Sequence, residues 1–288
     1  MLTKIEKVNP LNIAAVMTLT IAISTVIQQV LVMSFAPPNV IAKLGGNMGM
    51  ILQSMGSIIG YFIGMIVVSA LYNFCATTPF GGQIAVYLSE NPAKQSTVYL
   101  DSYDLVPCVR VYAFLFGLLS LIPAVFGFIV TLITKNAFAP AFGSLIGIPI
   151  ISVVGAVIGS AIGLSLYNLV APITRGFKLT MDMKDGNREG KLLHMDIWQG
   201  VKILSFFYLL VGLLALIGYG TVTALAGKFT PALLAIPIVA VIIGGLASAF
   251  GLFLVNLSLK LTGGIEVTLG GLPPVDRGGD QSQGEQSA

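Results

Sequence analysis

Asn73, Asn168 and Asn256 each stand near the end of a long apolar run, and each is soon followed by glycine, as Gly81-Gly82, Gly176 and Gly263-Gly264. A primary amide both donates and accepts hydrogen bonds and carries no charge. So placed, the three amides either cap carbonyls freed where a helix gives way to a turn or form a ring lining an axial opening. A second set, Gln28, Gln29 and Gln53, lies inside apolar runs. Amides facing each other across helices hold a hairpin together; a polar vestibule or partner contact is the alternative. Asn9, Asp104 and Asp196 open apolar runs, where a side-chain oxygen accepts a free backbone N–H at a helix N-cap.

Reactive groupings are missing from the sequence. The single histidine, His194, is two residues from Asp196 and reads as a solvated neighbour of a helix cap. One histidine with Cys75 and Cys108 far away cannot complete a metal site of three or four ligands, and both thiols read as reduced and inert. No Gly-x-x-x-x-Gly-Lys-Ser/Thr phosphate loop occurs. Ion-coupled transporters usually carry ionisable groups inside the bilayer; here Asp, Glu, Lys and Arg are absent from the middle of every apolar run. The expectation is a chain without enzymatic activity, metal or cofactor.

The elements carrying these residues are membrane helices. Of 288 residues, 56% are apolar and 9% charged, against roughly 25% charged in soluble domains. Crossing a hydrocarbon core about 30 Å thick takes roughly 20 apolar residues. Stretches 11–35, 49–75, 105–133, 144–171, 197–225 and 232–259 all qualify. The first follows Lys4 and Lys7 but is too long for a signal h-region, so it reads as a permanent helix. Of the 15 basic residues, all but Lys43, Lys135 and Lys228 fall on the side of the N-terminus, as do all 12 acidic ones. Basic loops stay in the cytosol, so both termini are expected there, in a multi-pass protein of the cytoplasmic (inner) membrane.

The runs also form a repeat. The spacing from Asn9 to Asn73 equals that from Asp104 to Asn168, and Asp196 to Asn256 is close to it. Each unit ends with helix, glycine turn and a short alternating segment, 84–88, 177–181 and 265–269, and alternation argues for a strand. Segments 3–8, 97–102 and 190–195 precede the odd helices and are expected to pair with these as a small cytosolic sheet or collar. Units 1–90, 91–183 and 190–271 follow, with a disordered tail at 272–288. Small residues recur at every fourth position of the even helices: Gly56, Gly60 and Gly64; Gly155, Gly159 and Gly163; Gly244 and Ser248, with Gly251. That spacing lets helix backbones approach, which sets the even helices against one another at a pseudo-threefold axis.

These residues together resemble an uncharacterised two-helix membrane domain best known from actinobacterial proteins. Asp196, Ile197, Trp198 and Lys202 are similar to its Asp-Pro-Trp-like opening with a basic residue. Tyr72-Asn73, Tyr167-Asn168 and the segment Gly263-Gly264-Ile265-Glu266-Val267-Thr268-Leu269 look like its close. Pro10 and Trp198 are each alone at their positions, Asn256 lacks the preceding tyrosine, and three copies in one chain depart from the single unit. The resemblance implies a fold and supplies no catalytic or ligand residue.

The resulting fold class is an all-α integral membrane protein: six transmembrane helices as three parallel two-helix repeats, with short strands flanking each hairpin. The function expected is a non-enzymatic scaffold or accessory subunit organising partners or lipids. Its partners would be membrane lipids and either another membrane protein or a second copy, with no nucleic acid. A channel or uniporter along the pseudo-threefold axis is the alternative.

Overall fold

The computed structural model describes residues 2–35, 37–43, 46–79, 81–91, 94–135, 138–183, 189–228 and 230–270. The tail expected at 272–288 lies outside them, as does the middle of the charged segment 182–191. A strand, two long helices and a strand follow one another three times. The first run is β1 (Leu2–Val8), α1 (Pro10–Phe35), a short α2 (Pro38–Lys43), α3 (Gly46–Thr77) and β2 (Ile84–Asn91). The second is β3 (Lys94–Tyr103), α4 (Leu105–Lys135), α5 (Phe138–Thr174) and β4 (Phe177–Met183). The third is β5 (Glu189–Met195), α6 (Ile197–Leu225), a 3-10 turn (Pro231–Ala235), α7 (Ile236–Thr262) and β6 (Ile265–Gly270).

Six of these helices are long and apolar enough to cross a membrane. α6 has the bounds its apolar run implies, whereas α5 begins at Phe138 rather than 144. Pro140 falls in its first turn, where a missing N–H breaks no helical bond. Between α1 and α3 lies α2, which starts at Pro38, a residue preset for the first helical position.

The strands require a correction to the all-α class. All six pair antiparallel in chain order, and β1 also pairs β6, so they close into a barrel. A collar would have left edge strands with unpaired N–H and C=O groups; closure removes both edges. Val98, Met181 and Leu269 are buried inside it, with Ile5, Leu179, Leu192 and Val267 packed against them. A barrel of eight strands is only just wide enough for side chains to fill, and this one, with fewer strands, is filled by its own core.

Barrel order fixes helix order. Each long helix is attached to one strand, so going round the barrel from β1 to β6 visits α1, α3, α4, α5, α6 and α7. Helix contacts follow the same circuit and close from α7 back to α1. The sequence expectation of α3, α5 and α7 packed on one another is therefore overturned: they form no seam, because strands under alternate helices hold their ends apart. The glycines bear this out locally. A Cβ added at Gly56, Gly60, Gly64, Gly155, Gly159, Gly163 or Gly251 would meet nothing within 4 Å, so these are not contact points between helices. Gly244 does pack closely, beneath the ring of Tyr208 on α6, and Ser248 is buried one turn on.

The circuit closes through a polar contact. The Thr20 hydroxyl on α1 donates to the hydroxyl of Ser258 on α7 at 2.9 Å, and Ser258 is fully buried. Hydrogen bonds between membrane helices contribute about 0.6–2 kcal/mol. Ser258→Ala should accordingly lower stability in nanodiscs by ~1 kcal/mol, read as a shift of the thermal midpoint. Thr20→Val should give the same loss, and the double variant no more than either.

Candidate functional site

Where helices meet the barrel, the residues singled out by sequence come together. The Asn9 carboxamide oxygen accepts from the N–H groups of Leu11 and Asn12 at 3.1 and 3.4 Å, and Asp196 Oδ1 accepts from Gln199 N–H at 2.9 Å. Both are N-cap contacts. Asp104 holds the same place before α4. The backbone N–H of each continues the barrel pairing, donating to the carbonyl of Glu266, Ala85 or Lys178. Two of these positions carry a polar side-chain pair as well: Asn9 Nδ2 donates to Glu266 Oε2 at 3.0 Å, and Lys178 Nζ is 3.6 Å from Asp196 Oδ2.

Asn73, Asn168 and Asn256 do something neither sequence reading anticipated. Each lies inside its helix, which continues beyond it, so nearby carbonyls already have helical partners. Each amide instead clips the last residue of a strand at both backbone groups. Asn73 accepts from Val8 N–H at 2.9 Å and donates to Val8 C=O at 2.8 Å. Asn168 does the same to Tyr103 at 2.8 and 2.8 Å, and Asn256 to Met195 at 2.9 and 2.7 Å. The side chain thus behaves as one more residue of a β ladder, and its role as a C-terminal cap is corrected to a strand clip.

The tyrosine before the asparagine adds a second clip. Tyr167 hydroxyl donates to Leu100 C=O at 2.6 Å on β3 and accepts from Phe177 N–H at 3.2 Å on β4. Tyr72 links Ile5 on β1 to Ile84 on β2 in the same way. The adjacent Tyr-Asn pair, Tyr72-Asn73 and Tyr167-Asn168, is the sequence signal for this double clip. Val255 stands in that place in α7 and has no hydroxyl to offer.

Above the barrel, α4, α5 and α6 border a cleft of ≈ 690 Å³. Gly155, Gly159 and Gly163 form its wall on α5, and Phe116 and Phe207 face it from α4 and α6. Tyr103, Tyr167 and Phe177 line its barrel end. The Tyr103 and Tyr167 rings meet edge to face at 5.0 Å, and Tyr167 stacks on Phe177 at 6.1 Å. Burial, with Tyr167 as the next contributor, pushes the Tyr103 phenol well above its ordinary range, so it stays a neutral group. From Ser152 to Val170 the lining covers about 27 Å of helix at 1.5 Å per residue, close to the roughly 30 Å of a hydrocarbon core. Such a cleft suits an extended apolar guest.

No family model, curated protein or solved structure matches the chain. The site has to be read from its own chemistry.

The glutamines do not gather as expected. Gln29 Nε2 on α1 donates to Met50 C=O at 2.6 Å and also reaches the Ser54 hydroxyl, both on α3. Gln28 and Gln53 are exposed. The hairpin is stitched by an amide meeting a carbonyl and a hydroxyl. Ser54, one position beyond Gln53, was the residue to find. His194 is exposed on β5 opposite Thr180, and Cys75 and Cys108 are buried free thiols. Among the described residues, no three of His, Cys, Asp or Glu come together to hold a metal.

Proposed function

We propose that this chain is a non-enzymatic scaffold or accessory subunit of the cytoplasmic membrane, built from three copies of one strand–hairpin–strand unit about a pseudo-threefold axis. The observation that carries the reading is the filled barrel closing one end of the helix circuit, fixed to it by an asparagine clip in every unit. A frame of this kind holds its shape while its outer faces and the α4–α5–α6 cleft remain free for lipids or a second membrane protein. The basic residues around the barrel support a cytosolic position for it and for both chain ends.

An axial conduction path is disfavoured by the same features. Val98, Met181 and Leu269 occupy the barrel interior, and the three amides that would have lined an opening are spent on backbone groups.

Reconstitution tests the reading. Liposomes containing the protein should pass potassium, chloride and glycerol no faster than protein-free liposomes. Extraction in polymer-bounded native discs should retain specific lipids or a membrane protein at fixed stoichiometry. Solute flux that rises with protein density would replace the scaffold with a channel.

A further inference from the structure

We propose that the junction of α5 and α6 binds the headgroup of an anionic phospholipid, with an acyl chain laid into the groove between α6 and α7. The inference rests on the reading of the helices as bilayer-spanning. Its starting point is Arg175. Gly176 N–H donates to Ala171 C=O at 2.9 Å, the reverse bond that ends a helix when the residue between is left-handed. That residue is Arg175, with φ 68°, the only non-glycine at positive φ among the described residues. Helix ends elsewhere in the chain use glycine for this conformation, as at Gly227 after α6 and Gly263 after α7. A Cβ is disfavoured there, so glycine would serve the turn better; what arginine adds is its charge.

That charge borders a pocket of ≈ 560 Å³ at the barrel end of the helices, together with Lys202, Gln199 and Ser205. Among the described residues the one ion pair joins Lys178 to Asp196, so neither Arg175 nor Lys202 is neutralised by an acid. Asp196, the acid at the head of α6, is engaged by that lysine and by Gln199 N–H. Lys202 lies over the Trp198 ring, 5.4 Å from its centre. The pocket therefore presents two cations without acidic partners and neutral hydrogen-bonding groups where a headgroup phosphate would lie. Basic pockets between membrane helices bind anionic headgroups in this manner.

A second pocket explains why the ligand is a lipid and not phosphate alone. It has ≈ 570 Å³, shares Trp198 and Val201 with the first, and continues along α7 past Ile242, Gly245 and Leu246. Trp198 and Val201 lie in the barrel-end turns of α6, whereas Ile242 lies well back from the barrel end of α7. The joined space runs from charged to apolar as it leaves the barrel, matching a lipid that enters head at the interface and chain in the core.

Trp198 is the single tryptophan of the chain and is 68% exposed at the point where the pockets meet, so its fluorescence reports occupancy directly. The purified full-length protein in mild detergent is titrated with phosphatidylglycerol or phosphatidylcholine carrying brominated acyl chains, and quenching is read as the ratio between the two lipids. Brominated phosphatidylglycerol should quench at several-fold lower mole fraction. Arg175→Gly and Lys202→Gln should each reduce that preference about fivefold, the value of one surface cation, and together abolish it. Because glycine suits the left-handed position, Arg175→Gly should keep a thermal midpoint at or above that of the unaltered protein, which separates lost binding from lost folding. Equal quenching by both lipids, or a preference that survives in the double variant, would overturn the site while leaving the scaffold intact. Release of brominated phosphatidylglycerol by equimolar inorganic phosphate would overturn its identity as a lipid site. No quenching by either lipid would remove the membrane-spanning reading itself.

Discussion

Asn256→Ala should loosen the junction of β5 and α6 and destabilise the protein by ~2–4 kcal/mol, more than Asn168→Ala does. Each asparagine satisfies a backbone N–H and a backbone C=O at the end of a strand, and a buried backbone group left without a partner costs about 1–3 kcal/mol. The two deletions remove the same pair of bonds, yet their surroundings differ. Beside Asn168, the Tyr167 hydroxyl continues to tie Leu100 to Phe177, so β3 and β4 keep a second attachment. Beside Asn256 stands Val255. Hydrogen exchange at the Met195 amide should accelerate strongly in Asn256→Ala, whereas Tyr103 in Asn168→Ala should remain partly protected. Asn256→Asp keeps the acceptor for Met195 N–H but sets a carboxylate against Met195 C=O, so it should do no better than alanine. Equal and small losses, below about 0.5 kcal/mol in both alanine variants, would mean that water replaces the amides and that the clips do not hold the barrel to the helices.

How much of this was legible beforehand depends on whether the signal was local. Apolar runs near the length of a bilayer crossing located the helices, and period-two alternation across 265–269 located a strand in which Leu269 is buried with Met181 and Val98 and Val267 packs against them. Barrel closure was not legible, since alternation reports which face of a strand is buried and says nothing about which edge is paired. Once closure was missed, the helix arrangement was missed with it, because strand order dictates helix order. The glycine spacing then suggested a central seam, although seven of those positions face open space. Asn73 and its counterparts were recognisable as significant, but the choice between cap, pore ring and strand clip depends on residues far away in sequence. Gln29 shows the same limit: its partner Ser54 lies on the neighbouring helix, and chemistry alone favoured the amide next to it.

Gly176→Ala should be the most damaging glycine-to-alanine change among the described residues, costing ~3–5 kcal/mol, and it separates glycines set by position from glycines set by composition. With φ 66° the residue is in the left-handed region, where a Cβ costs roughly 1–2 kcal/mol before any contact is counted. The added Cβ would also strike the Leu100 carbonyl. That carbonyl belongs to the backbone of β3, accepts the Tyr167 hydroxyl and stands opposite Phe177 in the barrel. It cannot retreat without breaking the clip and the β3–β4 register together, so the cost exceeds that of a clash with a mobile side chain. Gly159→Ala is the control. It meets nothing within 4 Å and removes a residue unfavourable to helices by up to about 1 kcal/mol, so the thermal midpoint should stay level or rise. Both variants add one methyl group to the second hairpin, one at its barrel turn and the other within the apolar span of α5. If Gly176→Ala unfolded at the temperature of the unaltered protein, the turn would have to yield freely. A barrel entered through a yielding turn could not fix the order of the helices standing on it.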